Sequence, residues 1–241
     1  MRFIDAAIKA NERIWQRLHV EGLRGEDHEA FQRGAGGDLS SLIDLEAEKI
    51  FIEHLLPFGS IVSEESGIIE NPNSRAKIVL DPIDGSDNLL SHLPYYGTSA
   101  AYFEEGKCTQ AIIVNLANQD VFIKDEYGLR QGKLGSSTFL NVPTNPYSKV
   151  GIFERSYASK NVHSALHAAK IKYRSPGAFA LSLAYARQVD FVLYEGKMRS
   201  YDIEAGLFMC SDLLSFHERD MFLVSKDKEI FDKIVNLLIS I

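Results

Sequence analysis

The chain of 241 residues is short of the features that most often announce a function. It has two cysteines, Cys108 and Cys210, too few for a disulfide framework, and both read as reduced thiols. No apolar run approaches the ~20 residues of a membrane span. Charged residues interrupt the first segment, where a signal peptide needs an apolar core. The expectation is a soluble, cytoplasmic protein with no membrane partner. Positive charge is also in deficit: 26 basic residues against 33 acidic ones leave a net charge of -7, which argues against a nucleic-acid partner. The seven histidines show no metal-ligand spacing, and no repeat or low-complexity tract is present. With 45% hydrophobic residues, the chain can still build one large or two modest domains.

Apolar periodicity then divides the chain. Phe3, Ala7, Ala10, Ile14 and Leu18 fall at helical spacing and predict an amphipathic helix over 3–20. Residues 24–37 are polar and glycine-rich and read as a mobile loop. A second helix is predicted over 42–56, ended by Pro57 and Gly59. Strands follow at 61–63, 77–81, 98–103, 111–116 and 121–123, joined by polar turns that suggest an antiparallel sheet. After about Pro146 strands (150–153, 171–174, 190–194, 221–224) alternate with helices (162–169, 178–188, 203–214, 228–239). The reading is an α+β half over 1–146 and an α/β half over 147–241, one compact unit with a soft boundary.

The chemistry concentrates in Val79-Leu80-Asp81-Pro82-Ile83-Asp84-Gly85-Ser86-Asp87-Asn88. Proline pushes the residue before it toward extended geometry, which places Asp81 at a strand end. Gly85 permits a sharp turn, and Ser86 is suited to cap the short helix that follows. Two readings fit this stretch. One is an Asp-Pro turn with a serine-capped helix. The other brings Asp81, the Ile83 carbonyl, Asp84 and the Ser86 hydroxyl to one point, a set of hard oxygens suited to Mg²⁺ beside amides suited to phosphate.

Carboxylates recur at other strand ends and adjoining loops: Asp38 with Asp44, Glu64 with Glu65, and Glu195 with Asp202. Each pair alone reads as solvated or capping acid. If they meet, their mutual repulsion requires cations. Taken together, the segments resemble the inositol monophosphatase family, within the metal-dependent, lithium-sensitive sugar phosphatases that include fructose-1,6-bisphosphatases. The decapeptide resembles that family's signature, and Val62-Ser63-Glu64-Glu65-Ser66 its Gly-Glu-Glu-Ser segment. Asp38-Leu39-Ser40-Ser41-Leu42-Ile43-Asp44 is similar to its Asp-x-x-Thr-x-x-Asp segment, and Tyr201-Asp202-Ile203-Glu204-Ala205-Gly206 to its late Trp-Asp-x-Ala-Ala-Gly motif. Tyr194-Glu195 stands where relatives have a substrate-binding glutamate. Gly177-Ala178-Phe179-Ala180 stands where they have a sugar-binding Gly-Thr-Ala, without the threonine hydroxyl. Asp87 is an additional acid, and Lys197 and Arg199 add two positive charges before Asp202.

The resemblance implies a layered α-β-α-β-α sandwich, a homodimer, and two or three Mg²⁺ ions serving phosphate-monoester hydrolysis. By resemblance, Glu64, Asp81, the Ile83 carbonyl and Ser86 hold the first ion. Asp81, Asp84 and Asp202 hold the second, and Glu65 a further one. Asp44, Ser86 and Glu64 form the catalytic set, with Asp44 accepting a proton from water through its pairing with the Ser86 hydroxyl. Gly85 and Ser86 amides bind the phosphate, while Glu195, Gly177 and Ala178 face the sugar. The implied substrate is a phosphorylated small sugar or polyol, inositol 1-phosphate being the type. Alternatives are a fructose-1,6-bisphosphatase, a nucleotide 3′-phosphatase acting on 3′-phosphoadenosine phosphate, and a regulatory or binding protein that has kept the fold.

Overall fold

The structure, a computed structural model, describes residues 2–37 and 39–241. Helix α1 (Phe3–Gln16) buries Phe3, Ala7, Ala10 and Ile14 along the predicted stripe. It runs on into a wide turn at Arg17–Glu21. Helix α2 (Leu42–Leu55) starts on a reciprocal cap, because the Asp44 carboxylate accepts the Ser41 N–H at 2.9 Å and the Ser41 hydroxyl at 2.7 Å. The segment read as a loop contains a short helical turn, Gly25–His28, and a strand. That strand, β1 (Ala30–Arg33), pairs antiparallel with β2 (Leu39–Ser41). Sequence alone missed it because so short a strand, next to a glycine-rich turn, gains its geometry only when a partner supplies the hydrogen bonds.

The first large sheet contains β3 (Ser60–Ser63), β4 (Gly67–Ile69), β5 (Lys77–Asp84), β6 (Gly97–Glu104), β7 (Lys107–Asn115), β8 (Asp120–Asp125), β9 (Gly128–Lys133) and β10 (Leu140–Asn141). Their order is β10-β9-β8-β7-β6-β5-β3-β4, antiparallel except where β3 and β5 run parallel. Strand β5 does not stop at Asp81. It continues to Asp84 with an irregularity between those two residues, where pairing with β6 slips. A bulge of this kind re-aims side chains, here the two aspartates. Gly85, at φ +85°, is the residue that caps the short helix α3 (Ser86–Leu90). Ser86 therefore does not cap as expected: it lies inside the first turn.

The second sheet contains β11 (Gly151–Glu154), β12 (Tyr173–Arg174), β13 (Val192–Glu195), β14 (Leu214–Glu218) and β15 (Met221–Ser225), ordered β12-β11-β13-β15-β14. β11 is parallel to β12 and β13, and the β13-β15-β14 side is antiparallel. The remaining helices are α4 (Lys160–Ala168), α5 (Phe179–Ala184), α6 (Ser200–Met209) and α7 (Lys228–Ile239). The helix expected over 203–214 ends at Met209, and Leu214 opens β14. Mostly exposed, that edge strand has no alternating buried face to mark it in the sequence.

Four packed clusters make the layering explicit. Ile78 and Leu80 of β5 face α1 and α2, while Val79, together with Ala101 and Phe122, faces Ala180 and Leu181 of α5 and Ala205 of α6. The other side of α5 and α6, with Phe179, Leu183 and Ile203, packs on Ile152, Val192 and Phe222 of the second sheet. The far side of that sheet, with Phe153 and Leu193, is covered by Val162, Leu166, Ile234 and Leu238 of α4 and α7. The order is helix, sheet, helix, sheet, helix, the α-β-α-β-α sandwich expected. The central helices cross closely: a Cβ on Gly206 of α6 would stand 2.4 Å from Cδ1 of Leu183 in α5. No helix among the described residues is long and apolar enough to cross a membrane.

Candidate active site

The end of β5 opens into a cleft of about 790 Å³. Alternation along β5 puts Asp81 on the same face as Val79, toward the central helices. Beyond the bulge, Asp84 Oδ2 accepts the backbone N–H of Leu181 in α5 at 2.7 Å. Glu64 and Glu65 arrive from the turn between β3 and β4, which α2 holds: Glu48 accepts the Ser66 N–H at 2.9 Å and its hydroxyl at 2.5 Å. Asp202 enters from the first turn of α6. One oxygen from each of Glu64, Asp81 and Asp202 lies within 4.8 Å of the others.

Burial sets the electrostatics of this group. It pushes Glu64 up to about 8, partly offset by the Arg199 guanidinium, and Asp84 up to about 8 against the Leu181 amide. Glu65 rises to about 7, again chiefly through burial and despite a hydrogen bond from the Ser40 hydroxyl. Asp81, enclosed beside Glu64, Asp84 and Asp202, is raised well above the ordinary carboxylate range, chiefly by burial. Its Oδ1 is buried with no hydrogen-bond partner, as is Oδ1 of Asp44. An orphaned carboxylate oxygen inside a knot of acids is unfavourable in isolation. A hard divalent cation relieves both the missing partner and the repulsion, so this oxygen-rich donor set fits such an ion.

Of the residues expected at the site, Asp44, Glu64, Glu65, Asp81, Ile83, Asp84, Gly85, Ser86, Gly177 and Asp202 all line the cleft. Gly85 needs its left-handed turn, and a Cβ there would also meet Ala178 Cβ at 3.0 Å and the Gly177 carbonyl at 3.2 Å. The segment at 177–178 thus sits directly on the turn at 85–86, although Ala178 itself is buried outside the cleft lining. Glu195 is also absent from that lining, and its carboxylate accepts the Ser159 hydroxyl. The Asp44 carboxylate is bonded to Ser41 rather than to the Ser86 hydroxyl. Asp38 lies outside the described residues.

Sequence reasoning did not single out Glu154, a buried acid at the end of β11 that lines the cleft. It accepts the Gly177 N–H at 2.8 Å and the Ser182 hydroxyl at 2.5 Å, and so holds the 177–178 segment in place. Its position, a carboxylate at a strand end, was the signal available. Arg33 and Arg155 add positive charge to the cleft walls.

The sequence profile of the inositol monophosphatase family matches residues 2–212. The chain is 31% identical to a fructose-1,6-bisphosphatase of Pyrococcus furiosus over 185 residues, covering 73% of this chain and 68% of the relative. It is 28% identical to the Nus factor SuhB of Escherichia coli over 189 residues, covering 74% and 70%. A solved structure described as Thermotoga maritima IMPase superposes with a TM-score of 0.76 at 22% identity, covering 100% of this chain and 99% of the other.

Proposed function

We propose that the chain, which belongs to the inositol monophosphatase family, is a Mg²⁺-dependent phosphatase hydrolysing a phosphate monoester of a small sugar or polyol. The observation that carries this reading is the meeting of Glu64, Asp81 and Asp202, with one Asp81 oxygen buried and partnerless. Glu64, Asp81, the Ile83 carbonyl and the Ser86 hydroxyl would hold one ion; Asp81, Asp84 and Asp202 a second; and Glu65 a further one. Bound divalent ions supply charge neutralisation for the phosphoryl group and acidify water at the site.

The chain's own groups do the rest. The amides of Gly85 and Ser86, two residues that line the cleft, orient the phosphate oxygens. Asp44 accepts the proton of the attacking water at its partnerless Oδ1. Burial raises Asp44 above the usual carboxylate range, which makes it the better base. The Gly177 segment, held by Glu154, meets the sugar, while Glu195 on β13 lies outside the cleft lining and accepts the Ser159 hydroxyl. A cavity of about 790 Å³ suits a ligand of this size.

A second reading, a fructose 1,6-bisphosphatase, is favoured by Arg33 and Arg155 on the same walls, which suit a second phosphate, and by the name of the Pyrococcus relative. The test is phosphate release from inositol 1-phosphate, fructose 1,6-bisphosphate and 3′-phosphoadenosine phosphate, each with and without Mg²⁺. Mg²⁺-dependent turnover supports the phosphatase reading and identifies the substrate. Silence from folded, Mg²⁺-bound protein on all three would turn the assignment toward a binding role.

A further inference from the structure

Arg199 reaches into the acidic cluster from the residue before α6. Its Nη2 lies 3.0 Å from Glu64 Oε1, its Nε lies 2.9 Å from Asp202 Oδ2, and its Nη1 donates to the Gly36 carbonyl at 3.2 Å. The guanidinium also lies over the Tyr201 ring, 5.2 Å from its centroid. Both carboxylates that converge with Asp81 are therefore spanned by one permanent positive charge. A guanidinium suits this task because it is planar, carries several donors in a fixed fork and does not lose its proton.

We propose that Arg199 is a built-in counter-cation: it bridges Glu64 and Asp202 while no ion is bound, and a divalent ion must displace it to enter. The inference rests on the reading that these carboxylates hold the ion. Two like charges drawn to the same two carboxylates repel each other, so the arginine and the ion compete, and the arginine sets the affinity of the site. The side chain is 27% exposed, which leaves it a route toward the cleft mouth when displaced. The same bridge ties the β3–β4 turn, the glycine loop at Gly36 and the start of α6 together. The site is thereby held in shape before it is loaded.

The experiment compares the full chain with Arg199→Gln and Arg199→Lys after treatment with EDTA. Mg²⁺ alone is titrated calorimetrically at fixed ionic strength, and thermal unfolding is followed with and without Mg²⁺. Arg199→Gln is expected to bind Mg²⁺ about tenfold more tightly. It should melt lower than wild type without the ion, and the gap should close at saturating Mg²⁺. Arg199→Lys, which keeps the charge without the fork, should fall between the two. Equal or weaker Mg²⁺ affinity in a folded Arg199→Gln overturns the inference while the metal reading stands. If Arg199→Gln does not fold without the ion, the lysine variant decides: wild-type affinity in Arg199→Lys overturns the inference. Absence of Mg²⁺ binding from wild type and both variants overturns the metal reading, and the role of Arg199 with it.

Discussion

The Leu181 amide donates to Asp84 Oδ2 at 2.7 Å, joining the end of β5 to the first turn of α5 across 97 residues of sequence. An acid expected to bind a cation is thus also the point where the first sheet is pinned to the central helices. An asparagine at this position keeps an acceptor oxygen for Leu181 but loses the charge.

Asp84→Asn should therefore preserve the fold and nearly abolish turnover. Even groups behind a metal ligand are worth about 10–100-fold, so kcat/KM should fall by more than about 100-fold. Steady-state kinetics alongside circular dichroism checks both halves. Normal activity in the folded variant would remove Asp84 from the site.

Asp44 separates a chemical from a structural role in the same way. Its Oδ2 is committed to the Ser41 cap of α2, and its Oδ1 has no partner. Asp44→Asn should lower kcat by about 10²–10⁴-fold, the range for losing a general base, with little change in KM. Ser41→Ala should instead cost about 1 kcal/mol of stability through the lost cap, measurable by urea denaturation.

The pH dependence of the ion-free protein follows from burial. Asp84, raised to about 8, and Glu65, raised to about 7, hold protons in the folded state that the unfolded chain releases near 4 to 4.5. Their contribution to stability is complete below the unfolded values and is lost as pH rises through about 7 to 8. In EDTA, the melting temperature should fall between pH 5 and 8.5. Divalent cations should bind more tightly over the same interval, because binding displaces those protons. A melting temperature that rises across this interval would contradict the buried acidic cluster.

Away from the site, Arg17 and Asp27 form a buried ion pair at 2.7 Å, in which Arg17 also reaches Glu46 at 2.8 Å and the Gly22 carbonyl at 2.7 Å. Removing one partner leaves a buried charge incompletely matched. Asp27→Ala should cost about 3 kcal/mol, seen as a shift of the urea midpoint. An unchanged midpoint would mean that Glu46 and solvent compensate fully.

Much of the site was legible because its chemistry is local. Asp81, Ile83, Asp84, Gly85 and Ser86 lie within six residues, where proline and glycine leave the backbone few choices. Glu64-Glu65 and Asp202 sit in motifs whose residue types are themselves the signal. Glu154 escaped notice because it stands alone at a strand end, and its role depends on Gly177 and Ser182, more than 20 residues away. The Asp44–Ser86 pairing, expected from resemblance, is replaced by the cap at Ser41, a contact that a three-residue separation makes cheap in entropy.

The same division holds for the fold. Apolar spacing in the sequence determined α1, α2, the core strands of the first sheet and the helix–strand alternation of the second half, because side-chain period is a property of neighbouring residues. Only the tertiary structure decided that β1 and β14 are strands, since edge strands take their hydrogen bonds from a partner. Only it seated α5 and α6 between the two sheets, through the close crossing of Gly206 and Leu183. That packing carries Asp202 to Glu64 and Asp81, and with it the charge of Arg199. Which carboxylates meet depends on contacts between distant segments, and those form only when the apolar layers close around them.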